Sequence, residues 1–158
     1  MKTHSNFNDI DIWDLLIDDS IETLNKYIAQ HGLHELDENS RGLLSVLILE
    51  GRFDLSLFLI QSTEIDINQK DKNGYTPLHF AVQSNTYDVV KVLLDKGANV
   101  DIQDKFGNTP LFKSVTENTD LKITQALIHS GADIHVMNTF GYSPMHFIQK
   151  NMPELSLT

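Results

Sequence analysis

Apolar residues recur at helical spacing in two short runs between residues 73 and 104. The first run contains Leu78 and Val82, and the second extends over Val89–Leu94 after a polar break. Gly97 follows, and it is a typical helix end because a residue without a Cβ adopts a left-handed conformation at little cost. The pattern predicts a turn, a short helix, a loop, a longer helix and an extended arm, with one apolar face that neighbours of the same shape must bury.

The same order of elements recurs along the chain, and we predict a single domain over residues 1–158 built from such units. Four glycines mark the register at spacings of 32, 33 and 34 residues: Gly42, Gly74, Gly107 and Gly141. The predicted units are an N-terminal cap at about 9–41, three fuller units at 42–73, 74–106 and 107–140, and a partial C-terminal cap at 141–152. Terminal units are expected to be atypical because one of their faces meets water.

Related motifs stand where the first helix of several units is expected to begin. They read Thr76-Pro77-Leu78-His79-Phe80-Ala81, Thr109-Pro110-Leu111 and Ser143-Pro144-Met145-His146. A T-P-L-H-x-A motif with a period of about 33 residues resembles the ankyrin repeat. The resemblance implies an all-α solenoid of stacked helix-turn-helix units with short hairpin-like loops, about three full repeats and degenerate caps. In the second unit, Leu44-Ser45-Val46-Leu47 is the expected counterpart of the motif, and its first helix is expected to be shortened.

Most motif residues have a purely structural explanation. Proline suits the first turn of a helix, where its missing N–H would be unsatisfied anyway. Thr76, Thr109 and Ser143 are expected to be N-caps whose side chains accept from free backbone N–H groups. Ala81 and Ser114 are small, and we expect them to let the two helices of one unit approach closely.

The N-terminal unit lacks the motif but keeps the pattern of two helices. We expect the first helix to carry Trp13, Leu16 and Ile17, and the second to begin near Ser20 and to end at Gly32. Acidic residues are expected to give this cap its polar face: Asp9, Asp11, Asp14, Asp18, Asp19 and Glu22.

Composition narrows the classes of partner. The 158 residues include 22 acidic and 12 basic side chains, a formal charge of −10, with the acidic excess concentrated in residues 1–41. This charge and the scattered lysines argue against a nucleic-acid binder. The sequence shows no apolar run of about 20 residues that would span a membrane and no secretory signal pattern, so we expect a soluble, cytoplasmic protein. The absence of cysteine excludes disulfides and thiolate metal sites.

Catalytic and metal-binding chemistry has little support. The resemblance implies that His79 and His146 tie a hairpin to a helix. His31 and His34 lie three residues apart near acidic residues, but a zinc site needs further ligands that the sequence does not place. The chain has no catalytic or nucleotide-binding motif, and a carboxylate pair such as Asp18-Asp19 suits a solvated helix end. We therefore expect no enzyme activity, metal or cofactor.

The resemblance also implies where a partner protein is bound, because loop tips and short inner helices form a concave groove in ankyrin arrays. The tip positions are Arg41, Leu43, Lys72, Asn73, Tyr75, Lys105, Phe106, Asn108, Phe140 and Tyr142, and the groove positions are Gln83, Ser84, Thr116, Glu117 and Lys150. Four acids of the cap complete the predicted site: Asp11, Asp14, Asp18 and Asp19. The tip aromatics are expected to form an exposed stripe of interaction anchors, although packing against the adjacent hairpin is the alternative.

Two functions remain open from the sequence. The more specific is a stoichiometric inhibitor or immunity protein that neutralises a toxin, since an acidic inhibitor suits a basic, nuclease-like toxin through electrostatic steering. The other is a general adaptor or scaffold with a cellular partner. Either would act as a monomer or in a 1:1 complex with its partner.

Overall fold

The computed structural model describes residues 11–117, 119–152 and 155 of the chain. Within these ranges the chain forms nine α-helices and no β-strand. The helices are α1 (Ile12–Asp18), α2 (Ile21–His31), α3 (Leu43–Leu49), α4 (Phe53–Ser62), α5 (Pro77–Gln83), α6 (Tyr87–Asp95), α7 (Pro110–Thr116), α8 (Leu121–His129) and α9 (Pro144–Asn151). The predicted all-α class is therefore confirmed. Asp9, which was expected on the polar face of the N-terminal cap, lies outside the described residues.

The helices pack in two layers. In the inner layer α3 packs on α5, α5 on α7 and α7 on α9; in the outer layer α2 packs on α4, α4 on α6 and α6 on α8. Each inner helix from α3 to α7 also packs on the outer helix that follows it, and leucines such as Leu47, Leu78 and Leu111 form a continuous core. The helix α1 packs on α2 and less closely on α3. In the described part of the chain, no helix is long and apolar enough to cross a membrane.

The inner helices begin as the motif predicts, with proline at the first turn of α5, α7 and α9. The Thr109 hydroxyl accepts the backbone N–H of Phe112 at 3.1 Å, which confirms it as an N-cap. At the start of α5 a histidine joins the cap. The backbone N–H of Thr76 donates to His79 Nδ1 at 3.2 Å, and the Thr76 hydroxyl lies 2.9 Å from the same nitrogen.

The register predicted for the second unit is wrong by two residues. The left-handed residue of its tip is Ser40, with φ of 61°, whereas Gly42 has φ of −75° and is the N-cap of α3. The backbone N–H of Asp37 donates to the carbonyl oxygen of Arg41 at 3.0 Å and closes this tip. The counterpart of the motif is therefore Gly42-Leu43-Leu44-Ser45. The expected shortening of α3 is also wrong, since α3, α5 and α7 have seven residues each.

The N-terminal pair of helices follows its predicted boundaries. Ser20 caps α2 by accepting the backbone N–H of Thr23 at 3.1 Å, and Gly32 ends the helix. In α1 the residues that enter the core are Leu15 and Leu16. Two apolar residues predicted on this helix instead lie at the surface, with exposed fractions of 60% for Trp13 and 82% for Ile17.

Candidate partner-binding surface

Each loop tip is held by a side chain that the sequence analysis did not single out. Asp104 Oδ1 accepts the backbone N–H of Phe106 at 2.8 Å and that of Asn108 at 2.9 Å. Asp71 and Asn138 make the same pair of hydrogen bonds in their own tips. All three stand three residues before the tip glycine, and this regular spacing was visible in the sequence. Because Asp and Asn side chains stabilise tight turns in this way, they fix the backbone from which tip side chains project.

Consecutive tips are also hydrogen bonded to one another. The backbone bonds run from Lys72 N to Asn39 O at 2.9 Å, from Lys105 N to Asn73 O at 2.8 Å, and from Thr139 N to Phe106 O at 2.9 Å. The Lys105 ammonium donates to the Asn73 side-chain oxygen at 2.8 Å, and the Lys72 ammonium donates to the Glu38 carbonyl. These lysines, predicted as partner-binding residues, therefore also connect each tip to the one before it.

Phe106 and Phe140 form an exposed pair of rings on two adjacent tips. Their centroids are 6.4 Å apart and their planes are inclined by 26°. The exposed fraction is 45% for Phe106 and 68% for Phe140. The Lys105 ammonium lies 5.1 Å from the Phe106 centroid, within the range of a cation–π contact. We call Phe106 and Phe140 the tip pair.

The four predicted aromatics do not form one continuous stripe. Tyr75 is half-buried and packs on His79 and Phe80, with ring centroids 5.2 and 5.3 Å away. Tyr142 is exposed and makes an edge contact with Phe147 at 6.1 Å. Tyr75 therefore packs against its neighbours, which was the alternative to exposure, whereas the tip pair and Tyr142 have exposed rings.

Lys113 joins two predicted site residues across neighbouring units. Its ammonium lies 5.0 Å from the ring centroid of Tyr75 and 3.0 Å from a carboxylate oxygen of Glu117. Burial alone would lower the pKa of Lys113, but hydrogen bonds with Tyr75 and Glu117 raise it, so the side chain stays charged. Three of the other predicted groove residues are exposed: Gln83, Thr116 and Lys150. The fourth, Ser84, is half-buried.

Two predicted tip residues are engaged inside the fold. Leu43 is 4% exposed and belongs to the core, so its assignment to the binding surface is corrected. It was misplaced because the register of its unit was set on Gly42 instead of Ser40. The Asn108 amide donates to Asp104 at 3.2 Å and accepts from Asn138 at 2.9 Å, which gives it a role between tips.

Arg41 pairs with Asp37, its Nη2 lying 2.6 Å from the carboxylate. Burial alone would raise the pKa of Asp37, but the hydrogen bonds from the Arg41 side chain and backbone lower it. Asp37 Oδ1 also accepts the backbone N–H of Arg41. Asp37 therefore holds the tip of the second unit as Asp104 holds its own tip.

The four acids predicted in the N-terminal cap are exposed, and each has a local structural contact. Asp11 caps α1 by accepting the backbone N–H of Trp13 and of Asp14, and Asp14 accepts the Asp11 N–H in return. Asp18 accepts hydrogen bonds from the hydroxyls of Ser20, the N-cap of α2, and Thr23, and the bond from Ser20 contributes most to lowering the Asp18 pKa. Asp19 lies 3.6 Å from an Arg52 nitrogen.

The motif histidine His79 is a fully buried structural group. Its Nε2 atom lies 3.2 Å from the carbonyl oxygen of Asn108, and its Nδ1 accepts from Thr76. Burial lowers the pKa of His79 to about 4, so the ring is neutral near pH 7. Across the described ranges, no group of three or more His, Asp and Glu side chains is arranged to hold a metal ion.

Comparison with known sequences agrees with the stacked helix pairs and the repeated tips. The sequence profile described as Ankyrin repeats (3 copies) matches residues 5–104 and 39–138. The chain belongs to the ankyrin repeat family. Ankyrin repeats generally mediate contacts between proteins and are not generally catalytic, so this chain carries the architecture of a protein-interaction module.

Individual relatives match parts of the ankyrin array. An ankyrin repeat protein of monkeypox virus is 43% identical over 65 residues, which are 41% of this chain and 12% of the viral protein. An ankyrin repeat-containing protein of Schizosaccharomyces pombe is 41% identical over 63 residues, which are 40% of this chain and 30% of the yeast protein. A probable serine/threonine-protein kinase of Dictyostelium discoideum is 31% identical over 58% of this chain and 16% of its own length. The chain therefore matches less than a third of the length of these relatives.

Proposed function

We propose that this chain binds a partner protein without catalysing a reaction and docks it on the tip pair, Phe106 and Phe140. The observation that carries the proposal is that two stacked rings stay exposed on a backbone that is fixed from two sides. Aromatic side chains on rigid supports are typical anchors of protein interfaces because little conformational entropy is lost when they are covered.

The rigidity of the support comes from hydrogen bonds beneath the rings. Asp104 holds the tip of Phe106, Asn138 holds the tip of Phe140, and the carbonyl oxygen of Phe106 accepts the backbone N–H of Thr139. The two rings are therefore presented at a nearly fixed separation before any partner arrives. Lys105 supplies a charged group at the edge of the pair, with its ammonium 5.1 Å from the Phe106 centroid.

In its most specific form, the proposed function is stoichiometric inhibition, with the chain acting as an immunity protein that blocks a basic, nuclease-like toxin. The formal charge of −10 supports this form, because it would accelerate the approach of a basic partner and would repel nucleic acid. An adaptor that links a cellular partner to another protein is the alternative. Both forms use the same tip pair, and they differ in what the bound partner is and whether it loses activity.

The experiment is affinity capture with the immobilised chain, followed by identification of the partner and measurement of its affinity. Changing Phe106→Ala together with Phe140→Ala should weaken binding by about 2 kcal/mol or more, roughly thirtyfold. Ile21→Ala is the matched control, since Ile21 is an apolar residue, 47% exposed, in the first turn of an outer helix. Equal affinity of the double variant and the control would place the interface elsewhere.

Inhibitor and adaptor are separated on the captured partner. A basic enzyme whose activity falls to zero at one equivalent of the chain, with affinity that declines steeply with salt, supports the inhibitor. A partner that keeps its activity in the complex and binds with little dependence on salt supports the adaptor.

A further inference from the structure

A cleft of about 460 Å³ lies between the N-terminal pair of helices and α3. Here α1 packs less closely on α3 than the inner helices from α3 to α9 pack on one another. On the α4 side, Arg52 ties α1 to the second unit by donating to the Leu16 carbonyl and by lying 3.6 Å from Asp19. The volume falls within the roughly 300–1,000 Å³ of clefts that bind small molecules or side chains.

The floor of the cleft is apolar and its rim carries exposed apolar side chains. Leu16 and Leu43 are buried beneath it, at 7% and 4% exposure. Trp13 and Leu36 also line it and are 60% and 45% exposed. An exposed tryptophan above a buried leucine floor is an unusual arrangement for a surface that meets only water, and it suits an apolar side chain as occupant.

Acidic side chains surround this apolar floor. Five carboxylates and one guanidinium line the cleft: Asp11, Glu35, Asp37, Glu38, Glu50 and Arg41. The Arg41 guanidinium forms an ion pair with Asp37, with Nη2 2.6 Å from the carboxylate. Glu38 and Glu50 form no ion pair with any residue in the described part of the chain. His31 Nδ1 lies 3.0 Å from a carboxylate oxygen of Glu35, and the Lys72 ammonium donates to the backbone carbonyl of Glu38. With five carboxylates and one guanidinium in its lining, the cleft combines an apolar floor with a net negative charge.

We propose that the cleft binds a short peptide segment of a partner protein in which Lys or Arg residues flank an apolar side chain. The apolar side chain covers the Leu16 and Leu43 floor, and the basic residues pair with Glu38 and Glu50. A guanidinium can also lie over the exposed face of Trp13, since tryptophan is the best cation–π partner. The inference rests on the proposed function as a protein-binding module, but it uses a surface separate from the tip pair.

The test uses the fluorescence of Trp13, which is the single tryptophan of the chain. The probe is the peptide acetyl-RKLLKR-amide, titrated into the full-length chain at low salt. We expect a saturable shift of the emission to shorter wavelength, because the peptide removes water from the indole. Two comparison peptides, acetyl-EELLEE-amide and acetyl-RKSSKR-amide, lack the basic or the apolar residues and should give no saturable shift.

Charge variants show whether the cleft itself is responsible. Glu38→Gln with Glu50→Gln should weaken the probe affinity by about tenfold at low salt, because both proposed partners of the basic residues are lost. Asp54→Asn with Asp88→Asn is the matched control, since it makes the same change in net charge at exposed positions of outer helices, outside the cleft lining. An equal loss in both variants would show only a diffuse field and would overturn the proposal.

Two further results would also overturn it: an unchanged Trp13 emission, or equal responses to all three peptides. A third result would overturn the proposal by showing that the chain's own first ten residues occupy the cleft. If they did, Lys2→Gln with Phe7→Ala would shift Trp13 emission to longer wavelength before any peptide is added. This shift would contradict the proposal that a partner peptide is the occupant. The variant Phe106→Ala with Phe140→Ala should bind the probe like the wild type, so failure of tip docking and failure of cleft binding are distinguishable.

Discussion

His79 and Asn108 join two neighbouring repeats through a buried hydrogen bond, the Nε2 atom lying 3.2 Å from the carbonyl oxygen. The tautomer follows from the other nitrogen. Because Nδ1 accepts the backbone N–H of Thr76, Nε2 must carry the proton and donate it. The neutral ring therefore connects the start of its own helix to the next tip, and the tip beyond it carries Phe140.

This arrangement predicts a loss of stability in acid. The folded pKa of His79 is about 4 and its ordinary value is 6.5, so the unfolded chain binds a proton in this interval that the folded chain does not. The free energy of unfolding should be unaffected by His79 above pH 6.5 and should fall as the pH drops toward 4, by about 3 kcal/mol in total. Urea unfolding of the wild type and of His79→Gln across this range measures the effect.

The difference in unfolding free energy between the two proteins is the decisive quantity, because other titrating groups contribute equally to both. The wild type should exceed His79→Gln in unfolding free energy by the largest amount above pH 6.5. This difference should shrink by about 3 kcal/mol by pH 4, because only the wild type loses stability through His79. A difference that stays constant over this range would mean that His79 is not held neutral by burial.

Close approach of neighbouring tips predicts a selective cost at Gly107. A Cβ there would lie 2.9 Å from the Cα of Asn138 and from the N of Thr139, both backbone atoms, and φ is +77°. Gly97 has a similar φ of +81°, but a Cβ there would meet nothing within 4 Å. Gly97→Ala should therefore cost about 1 kcal/mol for the left-handed backbone alone, whereas Gly107→Ala should cost about 2 kcal/mol more for the clash.

Thermal or urea unfolding of the two variants checks this prediction, and Gly97→Ala serves as the control for the φ term. Equal losses at both positions would show that the tips can separate without cost. The tip pair would then lack the fixed backbone on which its proposed docking role depends.

The sequence carries most of the fold, because the signals that define it are local. Helical spacing, proline at the first turn and glycine at Gly97 predicted α5 and α6 within a residue or two. The error in the second unit has an equally local cause. Ser40 adopts a left-handed φ that is usually reserved for glycine, so the nearby Gly42 was taken as the tip residue.

The candidate site was less predictable, because it depends on which side chains meet across neighbouring repeats. The exposure of Phe106 and Phe140 agreed with their expected place at the tips, but Tyr75 has no sequence feature that reveals its packing on Phe80. The cleft beside Trp13 could not be predicted either. It arises from how far α1 stands from α3, which is set by the packing of whole helices.

The corrected register yields a stabilising substitution at Gly42. This residue is the N-cap of α3 with φ of −75° and ψ of 164°, and it has no side chain to accept a backbone N–H. A Cβ there would make only ordinary contacts, at 3.7 Å from Gln69 and 3.8 Å from Leu36. Gly42→Ser should raise the free energy of unfolding by about 0.5–1 kcal/mol, because it adds a capping hydroxyl and reduces the entropy of the unfolded chain.

Gly42→Ala separates these two contributions, since alanine restricts the unfolded backbone in the same way but cannot cap. We expect it to be less stable than Gly42→Ser by about 1 kcal/mol in urea unfolding. The expected cap resembles the one at the start of α7, where the Thr109 hydroxyl accepts the backbone N–H of Phe112 at 3.1 Å. Equal stability of the two variants would show that a serine at position 42 does not cap α3 in this way.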